Sequence, residues 1–443
     1  MTLATITTVG AALLLLLVIK RDEAFAQGRQ LLASIIEVNN SAIVGPLGNN
    51  EVAPGQLIEK IKEARTLLAQ TKPKVGLVDI VYIEDRITVS DSGEVSLTSK
   101  EQSDPELEIP LALLETATGK IHIVTVIHRG NELISPPRYP ISIVQRTNGI
   151  RWNLWNTEYM PPRGYIVLLN NYPEIGYHDV VVGYKTVRGK QKAITGSRPY
   201  IKSSFLYTPY TEGIHTPEMV QAGREYLQKL AWEARETLRD RRVRSLAFPS
   251  TLVADVAQLQ LEFFEHLPII EHSDMTEFRL NPQRIAERVL VRIAANKEES
   301  FNHTCSGANA CGLMQYTPKT YQGMRKEYPA AKLNASFSEG VRDHKNIVMA
   351  AMLLHDYNLR DLIKNFGKSI AQSPQLEEYL AAAYNGAPRH TYSSLKAFFR
   401  LGLSDWILGL GLREETKGYM MKIRKLNEMN IMTGFTIPNA PAL

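Results

Sequence analysis

The chain has 443 residues, with 51 Lys and Arg against 46 Asp and Glu, for a formal net charge of +5. That length exceeds one small core and points to two or three domains of about 150 residues each. A composition 44% hydrophobic and 22% charged, with 2 cysteines, excludes disordered, collagen-like and disulfide-scaffold classes, and so mild a charge gives no ground for a nucleic-acid partner.

The first apolar run extends from Leu3 to Ile19 and is closed by Lys20 and Arg21. It carries no charge and has about the shortest length that spans a bilayer as a helix. Ala24-Phe25-Ala26 resembles a signal-peptidase site, but four charged residues precede it, which favours an uncleaved anchor over residues 1–26. The basic pair argues for a cytoplasmic C-terminal side. Residues 27–74 read as a helical segment, with an apolar stripe at Leu57, Ile58, Ile61, Ala64, Leu67 and Leu68 and a stop at Lys72-Pro73-Lys74.

From 75 to 210 the pattern changes to short β-branched runs such as Ile121–Val126 and Val180–Val182, separated by Asn- and Gly-containing turns, so this stretch is predicted to be β-rich. At Thr216-Pro217-Glu218 the period switches. Thr suits an N-cap, Pro the first helical position and Glu the helix dipole. Connecting helices are expected over 211–280 and further helices over 281–435, with breaks at Phe248-Pro249-Ser250, around Asn281-Pro282 and at Ser373-Pro374. The predicted class is therefore an α+β multidomain chain with an N-terminal membrane helix, a β-rich middle domain and a C-terminal all-α domain.

Cys305 and Cys311 are the two cysteines, six positions apart. No His/Cys cluster completes a zinc set around them, so a disulfide is the better reading, and it implies an oxidising compartment. There is no HExxH helix, no GxSxG elbow and no phosphate loop. What stands out is Lys297-Glu298-Glu299-Ser300-Phe301-Asn302, followed by Ser306 to Pro318 with Gly312-Leu313-Met314-Gln315 at its centre. A glutamate ends an apolar helix, and a tight small-residue loop follows. A carboxyl at the edge of an apolar wall resists ionisation, which is what a general acid for a glycosidic oxygen needs. On these residues alone, a solvated glutamate pair at a helix end is an equal alternative.

Together with Ala382-Ala383-Tyr384-Asn385-Gly386 and Glu415-Thr416-Lys417-Gly418-Tyr419, this stretch resembles the catalytic domain of SLT-type lytic transglycosylases, relatives of goose-type lysozymes. Their pattern runs E-S-x-F, S-x-x-G-A-x-G-L-M-Q, A-A-Y-N and E-T-x-x-Y-V. The resemblance covers about Asn281 to Asn430 and implies a lysozyme-like domain over 281–435. Phe301 lies three residues after Glu298, which makes Glu298 the counterpart of the catalytic glutamate; read literally, E-S selects Glu299 instead. Asn309 replaces a family glycine, which its tolerance of left-handed backbone would accommodate.

By the resemblance, the substrate is the peptidoglycan glycan strand, cut between N-acetylmuramic acid and N-acetylglucosamine with closure of a 1,6-anhydro ring. Tyr384 and Asn385 would position the acid and the sugar, Met314, Gln315 and Tyr419 would line the groove, and Ser306 would cap its loop. No cofactor or metal is implied. The catalytic part would face the periplasm or wall, held by the N-terminal helix; secretion after signal cleavage or association with a virion are the alternatives. A hydrolytic muramidase is the competing enzyme. A degenerate wall-binding protein, with the β-rich segment docking to a secretion machine or virion, is the competing non-enzyme.

Overall fold

The computed structural model describes residues 56–429, apart from 78–81, 90–94, 103, 130–131, 145–157, 188, 259–260 and 410. Helix α1 is Gln56–Leu68, with Leu57, Ile61, Ala64 and Leu68 buried on one face. The apolar spacing of i, i+4, i+7 and i+11 produces that stripe. Ten strands follow: β1 (Lys74–Leu77), β2 (Tyr82–Val89), β3 (Val95–Gln102), β4 (Pro105–Glu115), β5 (Ile121–Arg129), β6 (Glu132–Ile134), β7 (Ser142–Ile143), β8 (Tyr159–Met160), β9 (Tyr165–Val187) and β10 (Lys190–Tyr207).

Eight of them form one sheet in the order β2-β3-β10-β9-β4-β5-β6, with β1 also pairing with β4; β7 and β8 form a separate pair. Every pairing is antiparallel except β10 with β3. On β4, Leu107, Ile109, Leu111 and Leu113 alternate into a core shared with Val124, Val126, Tyr139, Ile141, Tyr159 and Val167. Ala112 and Leu114 point to the other face and are also fully buried, because α1 packs across β4 and β9. The β4 strand is thus covered on both faces.

The helical part comprises α2 (Pro217–Asp240), α3 (Val253–Gln258), α4 (Leu261–Glu271), α5 (Met275–Leu280), α6 (Pro282–Asn296), α7 (Pro318–Glu327), α8 (Phe337–Arg342), α9 (His344–Phe366), α10 (Leu376–Gly386), α11 (Pro388–Leu401) and α12 (Glu414–Met429). Three begin with the same device, a capping side chain followed by proline: Thr216 accepts from Met219 N, Asn281 from Arg284 N and Thr317 from Thr320 N. Helices α2 and α6 cross at Gly223, where any Cβ would collide with the Leu290 carbonyl. Sheet and helices are joined directly. The Asn296 side chain accepts from Thr208 N at 2.8 Å and donates to Thr208 O at 2.9 Å, so it pairs with the residue just beyond β10 as a strand would.

These observations correct the expected fold class. The described residues from Gln56 to Met429 belong to one compact unit, in which α1, the sheet and the helices share packing, in place of separate β-rich and lysozyme-like all-α domains. The expected membrane helix falls on residues 1–26, outside the described residues. Among the described residues, no helix is long and apolar enough to cross a membrane. The longest, α2, is amphipathic, with Glu218 in its first turn and Arg239 in its last.

Candidate functional site

The segment after α6 is shaped by which side chains turn inward. Lys297 and Phe301 both adopt positive φ, 48° and 61°, and a tight helical turn at Lys297–Glu299 lies between them. Phe301 is fully buried and stacks on the His272 ring, with centroids 3.7 Å apart. Ser300 is also buried; its hydroxyl donates back to Ile293 O at 3.3 Å, and its carbonyl accepts from His344 Nε2 at 2.9 Å. With Ser300 and Phe301 held inside, Glu298 and Glu299 are left exposed. They border a hollow of about 230 Å³ whose opposite wall is α1, through Ile58, Ile61, Lys62 and Arg65.

The next loop is clamped. Cys305 and Cys311 form a disulfide. The Ser306 hydroxyl accepts from Ala308 N and Ala310 N at 3.2 and 3.1 Å, so it caps the loop. Asn309 takes the left-handed conformation with φ 58°, which asparagine tolerates better than most residues. The Gln315 amide donates to Gly312 O at 3.0 Å and Thr304 O at 3.3 Å, which commits its nitrogen to holding the loop.

The three motif segments meet. Tyr384 OH, on α10, donates to Met314 O at 2.7 Å, and its ring meets that of Tyr316 edge-on. Thr416 on α12 donates to the Asn385 side chain at 2.9 Å, and a Cβ on Gly386 would collide with Thr416. Met314 and Tyr419 are buried, whereas Gln315, Tyr384 and Asn385 keep partial exposure.

The carboxyl at this junction is Glu271, the last residue of α4, which sequence reasoning missed. Tyr419 OH donates to its Oε1 at 2.9 Å. Lys422, one turn further along α12, is buried and donates to Ile270 O and Ser273 O on either side of it. The neighbouring His272 donates from Nε2 to Leu313 O at 3.0 Å, fastening the end of α4 to the motif loop. Burial pushes the Glu271 carboxyl up to about 7, aided by the charge of Glu415 and opposed by the Tyr419 bond and Lys422. Burial also pulls the Lys422 ammonium down to about 8, against the influence of Glu271. Among the described residues, no hydrogen bond joins the side chain of Glu298 or Glu299 to Met314, Tyr384 or Tyr419. The signal that could have revealed Glu271 is the one applied to Glu298, a glutamate closing an apolar helix, here after Phe263, Phe264, Leu267, Ile269 and Ile270.

No family model, curated protein or solved structure matches this chain.

Proposed function

We propose that this protein is a peptidoglycan lytic transglycosylase that cuts the β-1,4 bond between N-acetylmuramic acid and N-acetylglucosamine. The observation that carries the reading is the convergence of the three motif segments, with Tyr384 on Met314 and Asn385 on Thr416. Residues so far apart in the chain have no local reason to meet, and the segments that do meet are those that resemble the transglycosylase pattern. A single carboxyl suffices for the reaction. It protonates the leaving oxygen as the C1–O bond breaks, then takes the proton of the muramic C6 hydroxyl as that oxygen bonds to C1. No water enters, so the two products together have the mass of the substrate. Ordinary glycosidases need a second carboxylate because they activate water or form a covalent intermediate.

The peptidoglycan substrate places the working protein on the wall side of the inner membrane, where the Cys305–Cys311 bond is stable. Digestion of purified wall by the full chain, with mass analysis of the sugars, tests the reading. Anhydro-muramic ends are expected. Reducing muramic ends carrying an added water would make the enzyme a hydrolytic muramidase, and intact wall would refute both activities.

A further inference from the structure

We propose that Glu271, at the end of α4, is the carboxyl that protonates the glycosidic oxygen, in place of Glu298 or Glu299; this rests on the transglycosylase reading above. The geometry is the reason. Among the described residues, Glu271 alone of these three glutamates has a side-chain hydrogen bond with Met314, Tyr384 or Tyr419, the 2.9 Å bond from Tyr419 OH. That bond holds Oε1 and leaves the other carboxyl oxygen for a ligand. The end of α4 is tied to the motif loop twice, by His272 on Leu313 O and by the stack of His272 on Phe301. The acid and the loop that would bind the sugar therefore cannot shift independently.

Glu271 also keeps partial exposure, which a group that meets a polymer requires. Glu265, one turn and a half earlier on the same helix, is raised further, to about 8, by burial. It is only 7% exposed, however, and its partner is Gln228 on α2, away from the motif segments. The hollow beside Glu298 and Glu299 has a different character. Its far wall brings the cations Lys62 and Arg65, and its lining includes none of Met314, Gln315, Tyr384, Asn385 and Tyr419.

The groups that act on Glu271 come from α12, as Tyr419, Lys422 and Glu415, and from α10, as Tyr384; Asp274, just after α4, acts on Lys422. In its protonated form, Glu271 can give its proton to the leaving oxygen as the C1–O bond breaks. As carboxylate, it then recovers a proton from the C6 hydroxyl, so it ends the cycle as it began. Tyr419 acts as a positioning residue. Its bond favours the ionised form, so its removal raises the pH at which the acid is lost.

The test compares the full-length wild type with E271Q, E298Q and E299Q on purified wall, with anhydro-muramic product measured by mass. E271Q is expected to lose at least about 10²-fold, the usual contribution of a general acid. E298Q and E299Q should each lose less than about tenfold. E271Q must still sediment with wall and unfold cooperatively, which separates lost chemistry from lost fold. The alkaline limb of kcat/KM should lie at about 7 and move upward in Tyr419→Phe. An active wild type whose activity survives E271Q and is lost in E298Q or E299Q overturns the assignment while leaving the function standing. A wild type that leaves wall uncut overturns the function itself, and the assignment with it.

Discussion

Substituting Glu271 by Gln has a stability consequence that requires no substrate. From the ordinary 4.5 to about 7, at about 1.4 kcal/mol per pH unit, ionising this carboxyl costs the folded protein about 3 kcal/mol. The sign follows from proton binding. The folded state holds the proton more tightly than the unfolded chain, so this group's contribution is fully favourable below 4.5. It declines as pH rises toward 7 and is constant above that. Gln keeps an oxygen to accept from Tyr419 and does not titrate. Lys422 loses its nearby anion in the variant, which offsets part of the gain and leaves about 2 kcal/mol. Denaturant unfolding of both proteins at about pH 5 and about pH 8 gives the comparison, since titrating groups other than Glu271 and Lys422 cancel. E271Q should gain on the wild type by about 2 kcal/mol between those conditions. A difference that stays the same at both pH values would refute the perturbed carboxyl.

Replacing Cys305 and Cys311 by Ala should cost about 2 kcal/mol in the chain-entropy account of so short a loop, and reduction of the wild type should reproduce the loss in denaturant titration. Gly223→Ala forces a methyl group against the Leu290 carbonyl and should cost about 1–3 kcal/mol, seen as a lowered Tm. Asp356→Ala removes the acceptor for Ser245 Oγ, for Leu246 N at 2.7 Å and for Tyr328 OH at 2.8 Å, with an expected loss of about 3 kcal/mol by chemical unfolding. Burial holds His272 and His355 down to about 3, and His266 and His344 to about 4. Their contribution is intact above the ordinary 6.5 and is lost as pH falls, so acid unfolding monitored by circular dichroism should begin below about 6.5.

Features set by neighbouring residues were legible in the sequence. Thr216-Pro217 starts α2, the β-branched run Ile121–Val126 lies in β5, and two cysteines six apart are bonded. Asn309 and Ser306 act in their loop as their chemistry suggests. The site was less legible, because the local signal occurs twice. Both α4 and α6 are apolar helices that lead into glutamates, and what distinguishes them is Tyr419, 148 residues beyond Glu271. Motif spacing drew attention to Glu298, where the buried pair Ser300 and Phe301 turns the glutamates outward. The packing of α1, sheet and helices into one compact unit was illegible for the same reason. Composition changes sharply near 210, but neither the Asn296 amide on Thr208 nor the seat of α1 on β4 and β9 leaves a local trace.

That amide has a consequence for how the molecule can be handled and inherited. Asn296 satisfies both backbone groups of Thr208 in a buried setting, so cutting the chain there orphans polar atoms on both fragments, at about 1–3 kcal/mol for each buried group left unpaired. The helices would also lose α1, which closes the hollow beside Glu298 and Glu299. Residues 211–429 are therefore not a portable cassette, and a recombination event at this boundary would move a part that is incomplete by itself. Heating the whole protein should melt sheet and helices in one calorimetric transition, where a string of independent modules would give two.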